Sequence, residues 1–546
     1  MRFLWTIFSF LVITTVNASL PPPKLIVQLV IDQLRGDFIS RYQTHFDAQG
    51  FNYLITHGIS FDNARHPHAN TVTCTGHATI ATGSYPAYHG IIANRWYDRQ
   101  KKALTYCVAD HKFAILPTLQ TTKKLAGRSP RYLAVSTFSD ELVLAQKGRA
   151  FAVSLKDRAA ITLAGHAGKA LWFDKLNGGF VSSTFYYHTY PQWVDNWNMH
   201  HLHMPYLHWT LSLPISNYFY QQAPKIHHRF PAFGFDFPHK ATPYDPRYYK
   251  YFSMMPDADE ITANFAIDLL AHEHLGQQKN QTDYLAISFS TVDAIGHQFG
   301  PNSLEAEDNL RRLDKTIARL LRAINQQVGL DNTLIILTAD HGIKDSHLYL
   351  AQHHMPQAPS LDIAQLTTKS QAFLKQKFHL PTKNLITIHE PFVYINHALL
   401  NKQSRYSLTQ ITDALCQFLT EQSTIFAAFN MAKTNTYHTW LETKVNRMFF
   451  PYRTGDIYLV MPPYQTPYPM NNRVNHGSPW NYDAFVPLIF SHPSFNNQHC
   501  ALPVKTTDIA ITLTTLLHIN PTSASVGHPL QAVLGNYSKE LLALSN

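Results

Sequence analysis

Three apolar runs, each followed by an aspartate, are the feature that most limits what this chain can fold into. Unbroken runs of β-branched and other apolar residues are typical of parallel strands that are buried on both faces. An open α/β sheet binds its ligands outside the carboxyl ends of the strands, so we expect the three aspartates at one shared site. The runs and their aspartates are residues 24–31 with Asp32, 284–290 with Asp293, and 333–338 with Asp340.

A helix is predicted between the second and third runs. Asn302 and Glu305 are interpreted as a capping box at its start. Strand, helix and strand in this order form the right-handed crossover unit of a doubly wound sheet. Residues 486–490 predict a further strand, and residues 508–517 predict a closing helix. The apolar positions at helical spacing are Leu310, Leu313, Ile317, Leu320, Leu321 and Ile324.

The fold class that these patterns favour is α/β, with a doubly wound and mostly parallel sheet. Two stretches interrupt the alternation of strands and helices, at about residues 171–255 and 348–468. The first is crowded with Tyr, Trp, His and Pro, and the second mixes helical and irregular sequence. We interpret both as large insertions that cap the carboxyl ends of the strands. One domain over residues 19–546 is therefore expected, although 546 residues exceed the usual size of a single core.

The first 18 residues have the layout of a signal peptide. Arg2 follows the initial methionine, residues 3–16 are almost entirely apolar, and small side chains at Val16 and Ala18 suit a cleavage site. The apolar run is too short to span a bilayer, and no later stretch approaches 18 apolar residues. We expect a secreted or periplasmic protein without stable insertion in the membrane.

Charge and cysteine content exclude two classes of function. The chain has 45 basic and 36 acidic residues, a formal charge of +9, which favours anionic small molecules as partners. It has no basic arm and no aromatic array for stacking on bases, so nucleic acid is not expected. The four cysteines form no C-x-x-C pair, which argues against a zinc site held by cysteines. One or two disulfides remain open among Cys74, Cys107, Cys416 and Cys500, with Cys74 interpreted as a small buried apolar residue.

Carboxylates and imidazoles together predict a metal site at the strand ends. These are the ligands of a hydrolytic divalent centre that leaves positions open for a substrate. Each residue alone has an ordinary explanation, such as a helix cap for Asp32 or a core histidine for His297. The set as a whole, at the strand ends of one sheet, favours a metal centre. Its members are Asp32, Asp293, His297, Asp340, His341 and His476.

A candidate nucleophile lies in the threonine-rich segment 70–79. A helix that starts near Gly76 would offer its N-terminal amides to a phosphate, and a bound metal would activate a hydroxyl beside it. Thr71, Thr73 and Thr75 could equally cap that helix. The spacing alone does not decide between a nucleophile and a cap.

Seven segments, in this order and spacing, resemble the alkaline phosphatase superfamily, most closely its periplasmic phosphate-irrepressible (PafA-like) branch. The resemblance runs along nearly the whole mature length. The segments are Val30-Ile31-Asp32-Gln33-Leu34-Arg35, Thr73-x-x-Gly76-His77-Ala78, His89-Gly90-Ile91-x-x-Asn94-x-Trp96-Tyr97-Asp98, Ser154-Leu155-Lys156-Asp157-Arg158, Asp293-x-x-Gly296-His297-x-Phe299-Gly300-Pro301, Ala339-Asp340-His341-Gly342 and His476-Gly477-Ser478-Pro479.

The resemblance implies a two-zinc alkaline phosphatase that hydrolyses small phosphate monoesters, and we expect a monomer. In-line displacement would pass through a covalent phosphothreonine on Thr73, and Asn94, Lys156 and Arg158 would hold the phosphoryl oxygens. Lys156 and Arg158 are two apart, so on an extended segment both would project from one face. The implied zinc ligands are Asp293, His297 and His476 at one ion, and Asp32, Asp340, His341 and the Thr73 oxygen at the other.

Other functions fit these residues less well. A phosphodiesterase or nucleotide pyrophosphatase of the same superfamily would share Thr73 and the metal ligands, but Lys156 and Arg158 favour the more charged monoester. A sulfatase is excluded because residues 74–78 lack the proline and arginine of its motif. An exported protein that binds phosphate or metal would not need a nucleophile, and a lipid-headgroup transferase would normally bring membrane helices. Residues 344–354 and 171–255 match the family poorly, so substrate preference stays open.

Overall fold

A computed structural model describes most of the chain. The described residues are 20–118, 121, 126–201, 206–226, 230–380, 383–403, 405–436, 439–465 and 474–537. The predicted signal peptide, residues 1–18, lies outside them. Within the described part, no helix is long and apolar enough to cross a membrane.

A nine-stranded mixed sheet forms the centre of the molecule. Its middle strands run parallel, and strand pairs towards both edges include antiparallel ones. The expected α/β fold with a mostly parallel sheet is therefore confirmed. From one edge to the other the strands are Gln498–Cys500, Gly58–Phe61, Leu488–Ser491, Thr333–Thr338, Leu25–Ile31, Asp283–Phe289, Ala150–Ser154, Lys169–Phe173 and Phe180–Val181.

The three apolar runs form three neighbouring parallel strands. Leu25–Ile31 lies in the middle, between Asp283–Phe289 and Thr333–Thr338, and every residue of the three is buried. Alternate side chains of Leu25–Ile31 enter two different apolar cores, one on each face of the sheet. Burial on both faces explains why these strands are uniformly apolar rather than alternating. The expected strand at 486–490 is Leu488–Ser491, which pairs antiparallel with Thr333–Thr338.

Helices cover both faces of the sheet. The expected closing helix is present as Asp508–Leu516. The full set is Phe38–Tyr42, Phe51–Thr56, Thr73–Thr82, Pro86–His89, Phe138–Leu144, Asp157–Ala164, Gln192–His201, Tyr248–Phe252, Asp257–His272, Thr291–Phe299, Leu304–Gln327, His347–Gln352, Ile363–Phe378, His397–Gln403, Leu408–Thr420, Trp440–Asn446, Asn481–Ala484, Asp508–Leu516 and Gln531–Leu534.

The helix predicted from the 310–324 stripe is Leu304–Gln327, and its cap differs from the expected one. Ser303 is the N-cap, and its hydroxyl accepts a hydrogen bond from the Ala306 N–H. The prediction of a capping box formed by Asn302 and Glu305 is wrong, because both side chains form hydrogen bonds with residues outside this helix. The Asn302 amide donates to Asp345 at 2.9 Å, and a Glu305 oxygen lies 3.1 Å from His239 Nε2.

The two interrupting stretches differ in structure. The expected start of the first, at about 171, falls inside the central-sheet strand Lys169–Phe173. Beyond Phe180–Val181 the chain forms helices and a small antiparallel pair, Leu207–Trp209 with His239–Ala241. The second stretch contains its own apolar core and an antiparallel sheet. That sheet has the strand order Ile386–His389, Phe392–Ile395, Ile457–Val460 and Ala427–Asn430. The single-domain interpretation stays a prediction.

Two further strand pairs lie outside the sheets described above. Val504–Lys505 pairs with Ala64–Arg65, in parallel. Arg95–Asp98 and Ala103–Tyr106 form an antiparallel hairpin directly after Asn94. This hairpin lies outside the central sheet but delivers one of the predicted site residues.

Candidate metal and phosphoryl site

The three aspartates meet at the carboxyl edge of the central strands, as expected. Asp32 directly follows Leu25–Ile31, and Asp340 comes two residues after Thr333–Thr338. Asp293 lies in the first turn of the helix Thr291–Phe299, which follows the strand Asp283–Phe289. All three side chains are buried. Parallel neighbouring strands end side by side, and this is what collects three residues that are far apart in sequence.

Two groups of potential metal ligands form around these aspartates. Within each group, one ligand atom from each residue lies within 4.8 Å of the others. Asp293 and His297 are one helical turn apart, with 3.1 Å between Asp293 Oδ1 and His297 Nε2. The structure thus brings together all six residues that sequence reasoning proposed as side-chain ligands besides Thr73. The groups are Asp293, His297 and His476, and Asp32, Asp340 and His341.

Each histidine is oriented by a main-chain carbonyl. His297 Nδ1 lies 2.6 Å from the Val474 oxygen, and His476 Nδ1 lies 2.8 Å from the Thr71 oxygen. His341 Nδ1 is 2.9 Å from its neighbour's oxygen, that of Gly342. A neutral ring that donates through Nδ1 carries its lone pair on Nε2, which is the form that binds metals.

The residues present fit a divalent metal. Asp32 Oδ1, Asp340 Oδ2 and His341 Nε2 are buried and have no hydrogen-bond partner in the part of the chain that the structure describes. His341 Nε2 lies 3.5 Å from that Asp32 oxygen and 3.4 Å from that Asp340 oxygen. His77 Nδ1 approaches that Asp340 oxygen at 3.2 Å, but it also lies 2.9 Å from the Thr73 oxygen. Buried acceptors that face one another are unfavourable unless a cation satisfies them. Two carboxylates and one imidazole are donors that Zn²⁺ accepts.

The carboxylates have strongly divergent pKa values. Burial, together with the nearby charge of Asp340, raises the pKa of Asp32 to about 7. Burial also acts to raise the pKa of Asp293, but the charges of His297 and Lys156 outweigh it and hold the pKa well below its usual range. Three buried carboxylates close together are unfavourable unless cations neutralise their charge.

Lys156 supplies a positive charge that joins the two groups. Its ammonium donates to Asp32 Oδ2 at 2.5 Å and to Asp293 Oδ2 at 2.6 Å, one carboxylate from each group. The expectation that Lys156 and Arg158 share one face of an extended segment is wrong. Lys156 is the N-cap of the helix Asp157–Ala164, and Arg158 lies in its first turn, because the helix begins directly after the strand Ala150–Ser154 and its short connection.

Arg158 nevertheless reaches the predicted nucleophile. Its Nη2 donates to Thr73 Oγ1 at 3.2 Å. Thr73 is the first residue of the helix Thr73–Thr82, which starts three residues before the expected Gly76. The Cys74 N–H at the same helix start donates to Asn94 Oδ1 at 2.8 Å. The hydroxyl, the guanidinium and the amide side chain therefore meet at one helix N-terminus.

The three threonines that could each cap the helix or act as the nucleophile have different surroundings in the structure. The N-cap is Val72, so none of the three hydroxyls caps the helix. Thr71 Oγ1 donates to the Ser478 oxygen at 2.8 Å. Thr75 Oγ1 is buried and has no hydrogen-bond partner among the described residues. Of the three hydroxyls, that of Thr73 is the one hydrogen-bonded to the predicted phosphoryl-binding arginine.

Comparison with known proteins assigns the family. The model of the type I phosphodiesterase / nucleotide pyrophosphatase family matches residues 26–478. The chain belongs to this family, within the alkaline phosphatase superfamily. It is 32% identical to alkaline phosphatase PhoV of Synechococcus elongatus, over 94% of this chain and 93% of that protein. It is 30% identical to alkaline phosphatase PafA of Elizabethkingia meningoseptica, over 95% of both chains.

A solved structure confirms the fold of this phosphodiesterase-family member. The crystal structure of wild-type PafA superimposes with a TM-score of 0.85 at 29% identity, covering 94% of this chain and 99% of that one. The resemblance drawn from the seven sequence segments is therefore confirmed.

Gln33 is a site residue that sequence reasoning missed, although it stands in the segment around Asp32. Its backbone is left-handed, with φ at 74°. Its N–H donates to Asp340 Oδ1 at 3.1 Å, and its side-chain amide donates to Asp293 Oδ1 at 2.8 Å. One residue thus ties a carboxylate of each ligand group, and the strained backbone is what lets it reach both.

A disulfide between Cys74 and Cys107 is the second missed feature. Cys74 is buried, as expected, but the interpretation of it as a small apolar residue without a further role is wrong, because it forms one of the disulfides that the sequence left open. Cys107 follows the hairpin strand Ala103–Tyr106, and tertiary folding brings that hairpin against the start of the Thr73–Thr82 helix. Cys416 and Cys500 have free thiols. No local pattern marks which pair of four distant cysteines will meet.

Proposed function

We propose that this chain is a two-zinc phosphomonoesterase, an alkaline phosphatase, with Thr73 as its nucleophile. The observation that carries the proposal is the hydrogen bond from Arg158 to the Thr73 hydroxyl at a helix start, beside two groups of metal ligands. The names of the relatives over nearly the whole chain support the same activity. A hydroxyl, cations and paired ligand groups together are the parts that phosphoryl transfer needs.

The proposed reaction has two steps. In the first, Thr73 Oγ1 forms a bond to phosphorus, the ester P–O bond breaks, and the alcohol leaves with the proton that the hydroxyl gave up. In the second, water attacks the phosphothreonine and releases inorganic phosphate, which restores the hydroxyl. Two Zn²⁺ ions, when bound, would act as Lewis acids on the attacking and leaving oxygens.

The chain's own donors would hold the phosphoryl group. Arg158 already lies at the nucleophile, so it can reach an oxygen of a group bonded to Thr73. Asn94 accepts the Cys74 N–H through Oδ1, which leaves its Nδ2 amide to donate. Lys156 pairs with Asp32 and Asp293, and metal binding to those carboxylates would release its ammonium for a phosphoryl oxygen. Two cations and an amide match the three free oxygens of a monoester.

A phosphodiesterase is the second candidate, favoured by one observation. A cavity of about 260 Å³ lies beside Arg158, with apolar walls from Leu155, Trp172 and Phe173. A second ester group could occupy it. The charged residues of its lining are four basic ones, Arg128, Lys156, Arg158 and Lys175, and two carboxylates, Asp157 and Asp174. The net positive charge suits an anion better than an uncharged ester group.

Export is part of the proposal. The Cys74–Cys107 disulfide supports an oxidising compartment, since such bonds form and persist outside the cytosol. The predicted signal peptide at residues 1–18 points the same way.

Turnover of an aryl phosphate monoester and its matching diester tests the function, on protein of measured zinc content. Thr73→Ala should lose at least about 10³-fold in kcat/KM for the monoester while keeping its zinc. Thr73→Ser is the matched control and should retain turnover, because it keeps a hydroxyl at the same place. Full activity of Thr73→Ala would exclude this nucleophile. Faster turnover of the diester would favour the phosphodiesterase, and no turnover of either ester by zinc-loaded wild-type protein would favour a binding protein.

A further inference from the structure

The Cys74–Cys107 disulfide joins two parts of the predicted phosphoryl site. Cys74 directly follows Thr73, and the bond reaches a residue 33 positions away at the end of the hairpin. Both cysteines are buried, with exposed fractions of 0% and 1%. A crosslink in this place does more than close a surface loop, because one of its ends is the residue after the nucleophile.

Asn94 is held from both halves of this disulfide. The Cys74 N–H donates to its side-chain oxygen at 2.8 Å, and the Cys107 N–H donates to its main-chain oxygen at 3.1 Å. The covalent bond therefore sets the distance between the two donors that fix the Asn94 main chain and side chain. The orientation of the amide follows, with Oδ1 towards Cys74 and Nδ2 available to a ligand.

The same hairpin also reaches the arginine of the site. Tyr106, the residue before Cys107, donates its hydroxyl hydrogen bond to Asp157 at 2.5 Å. Asp157 directly precedes Arg158 in the first turn of its helix and receives a second bond, from Arg128 at 2.5 Å. The hairpin is thus the element that connects the Asn94 amide to the Arg158 guanidinium.

The metal ligands are anchored independently of the hairpin. They follow strands of the central sheet, lie in the helix Thr291–Phe299 or lie in a loop, and Gln33 ties Asp293 to Asp340. A two-stranded hairpin alone is only marginally stable, so its position needs support from elsewhere. Loss of the disulfide should therefore loosen the hairpin and Asn94 before it disturbs the metal centre.

We propose that the Cys74–Cys107 disulfide is a positioning element that holds the Asn94 amide against the reacting phosphoryl group. This inference rests on the proposed function, since it assigns Asn94 a phosphoryl oxygen. Catalytic donors act within about 0.5 Å of their productive place, and a displacement of about 1 Å can reduce the rate about 10²-fold. Loss of the bond should reduce kcat/KM for a monoester and the affinity for inorganic phosphate, while the zinc content stays the same.

A double-mutant cycle tests it. Cys107→Ser should lower kcat/KM for an aryl phosphate by about 10- to 100-fold and raise the inhibition constant of inorganic phosphate. Asn94→Ala alone should cause a comparable or larger loss. The double variant should lose clearly less than the product of the two single losses, because the disulfide acts mainly through the Asn94 side chain and only in smaller part through the Tyr106–Asp157 hydrogen bond. Cys416→Ser is the matched control. It removes a free thiol that packs against the separate apolar core of the second stretch, and it should leave kcat/KM, phosphate inhibition and zinc content unchanged.

Three outcomes would overturn the proposal. The first is full activity of Cys107→Ser. The second is a double variant whose loss of kcat/KM equals the product of the two single losses. The third is a zinc content of Cys107→Ser that falls in parallel with its activity. If Cys107→Ser does not fold, reduction of the folded wild type and of Asn94→Ala with a phosphine replaces it, because a phosphine does not compete for zinc as a thiol does. The conditions are those under which the number of titratable thiols rises from two to four. Reduction should then slow the wild type by a larger factor than it slows Asn94→Ala. Failure of the proposed function is distinguishable, since Thr73→Ala would then remain active whatever the cycle shows.

Discussion

Gly76→Ala tests whether the helix of the proposed nucleophile lies against the proposed metal site as closely as the structure shows. A Cβ at residue 76 would be 2.0 Å from the main-chain oxygen of Asp340. A carbon–oxygen contact needs about 3.4 Å, so the helix and the metal-ligand loop would have to separate by about 1.4 Å. The obstacle is backbone, which cannot turn away as a flexible side chain can.

The expected effects follow from that separation. Gly→Ala inside a helix ordinarily stabilises by about 0.5–1 kcal/mol. Here we expect the opposite, a loss of about 1–3 kcal/mol in the free energy of unfolding from overpacking. Displacement of Thr73 by about 1 Å should also lower kcat/KM about 10²-fold. Urea unfolding, turnover of an aryl phosphate and zinc content measure the three consequences separately.

Gly329→Ala provides the control. Gly329 has φ at +86°, and the nearest atom to an added Cβ is the Asn332 side-chain nitrogen at 3.2 Å. It precedes the strand Thr333–Thr338, at the opposite end from the site. It should lose about 1–2 kcal/mol of stability through its left-handed backbone and keep full activity. A Gly76→Ala protein with wild-type stability and turnover would refute the close approach of the helix to Asp340.

Three more predictions follow from the contacts described. Gln33→Ala should weaken zinc binding about 10- to 100-fold, because it removes the hydrogen bond from the side-chain amide to Asp293. Competition with a chromophoric chelator measures the zinc affinity. An unchanged affinity would contradict the role of Gln33 in linking the two ligand groups. Dialysis against a chelator should abolish turnover and lower Tm, and zinc should restore both; a zinc-free protein that stays active would contradict the metal assignment. The hydrogen bond to Asp140 raises the pKa of His166 above 6.5, and Asp140 in turn has a lowered pKa. A group whose pKa is higher in the folded than in the unfolded state contributes its full stabilisation at pH values below the unfolded-state pKa. This contribution is lost as the pH rises through the folded-state pKa. His166→Gln should therefore lower the free energy of unfolding at pH 5.5 and have little effect at pH 9, as measured by urea unfolding. Equal losses at the two pH values would show that the contribution is not ionic.

The carboxyl-end aspartates were readable from sequence because their environment is local and repetitive. A strand buried on both faces must be apolar along its whole length, so an aspartate at its end stands out. The D-x-x-x-H spacing of Asp293 and His297 was equally local, since one helical turn brings them together. The seven matching segments then distinguished Thr73 from its neighbouring threonines.

Local patterns gave wrong predictions where the same residues fit two local structures about equally well. A hydroxyl at residue 303 and an amide at 302 cap helices about equally well, and the packing of Asn302 against Asp345 decided for Ser303. The alternation of Lys156 and Arg158 suited a strand, but the segment turns into a helix at Asp157. Neither choice has a signal within a few residues of the position.

The sequence by itself thus determined the fold class, the ligand types and the region of the nucleophile, since each depends on burial or on a spacing of a few residues. Only the tertiary structure decided which atoms meet. It paired Cys74 with Cys107 and bridged Asp293 and Asp340 through Gln33. Such contacts join segments 33 to 307 residues apart, and they depend on where whole strands and hairpins come to lie. The physical reason is that strand order and hairpin docking are settled by the packing of the entire core, which no short stretch of sequence encodes.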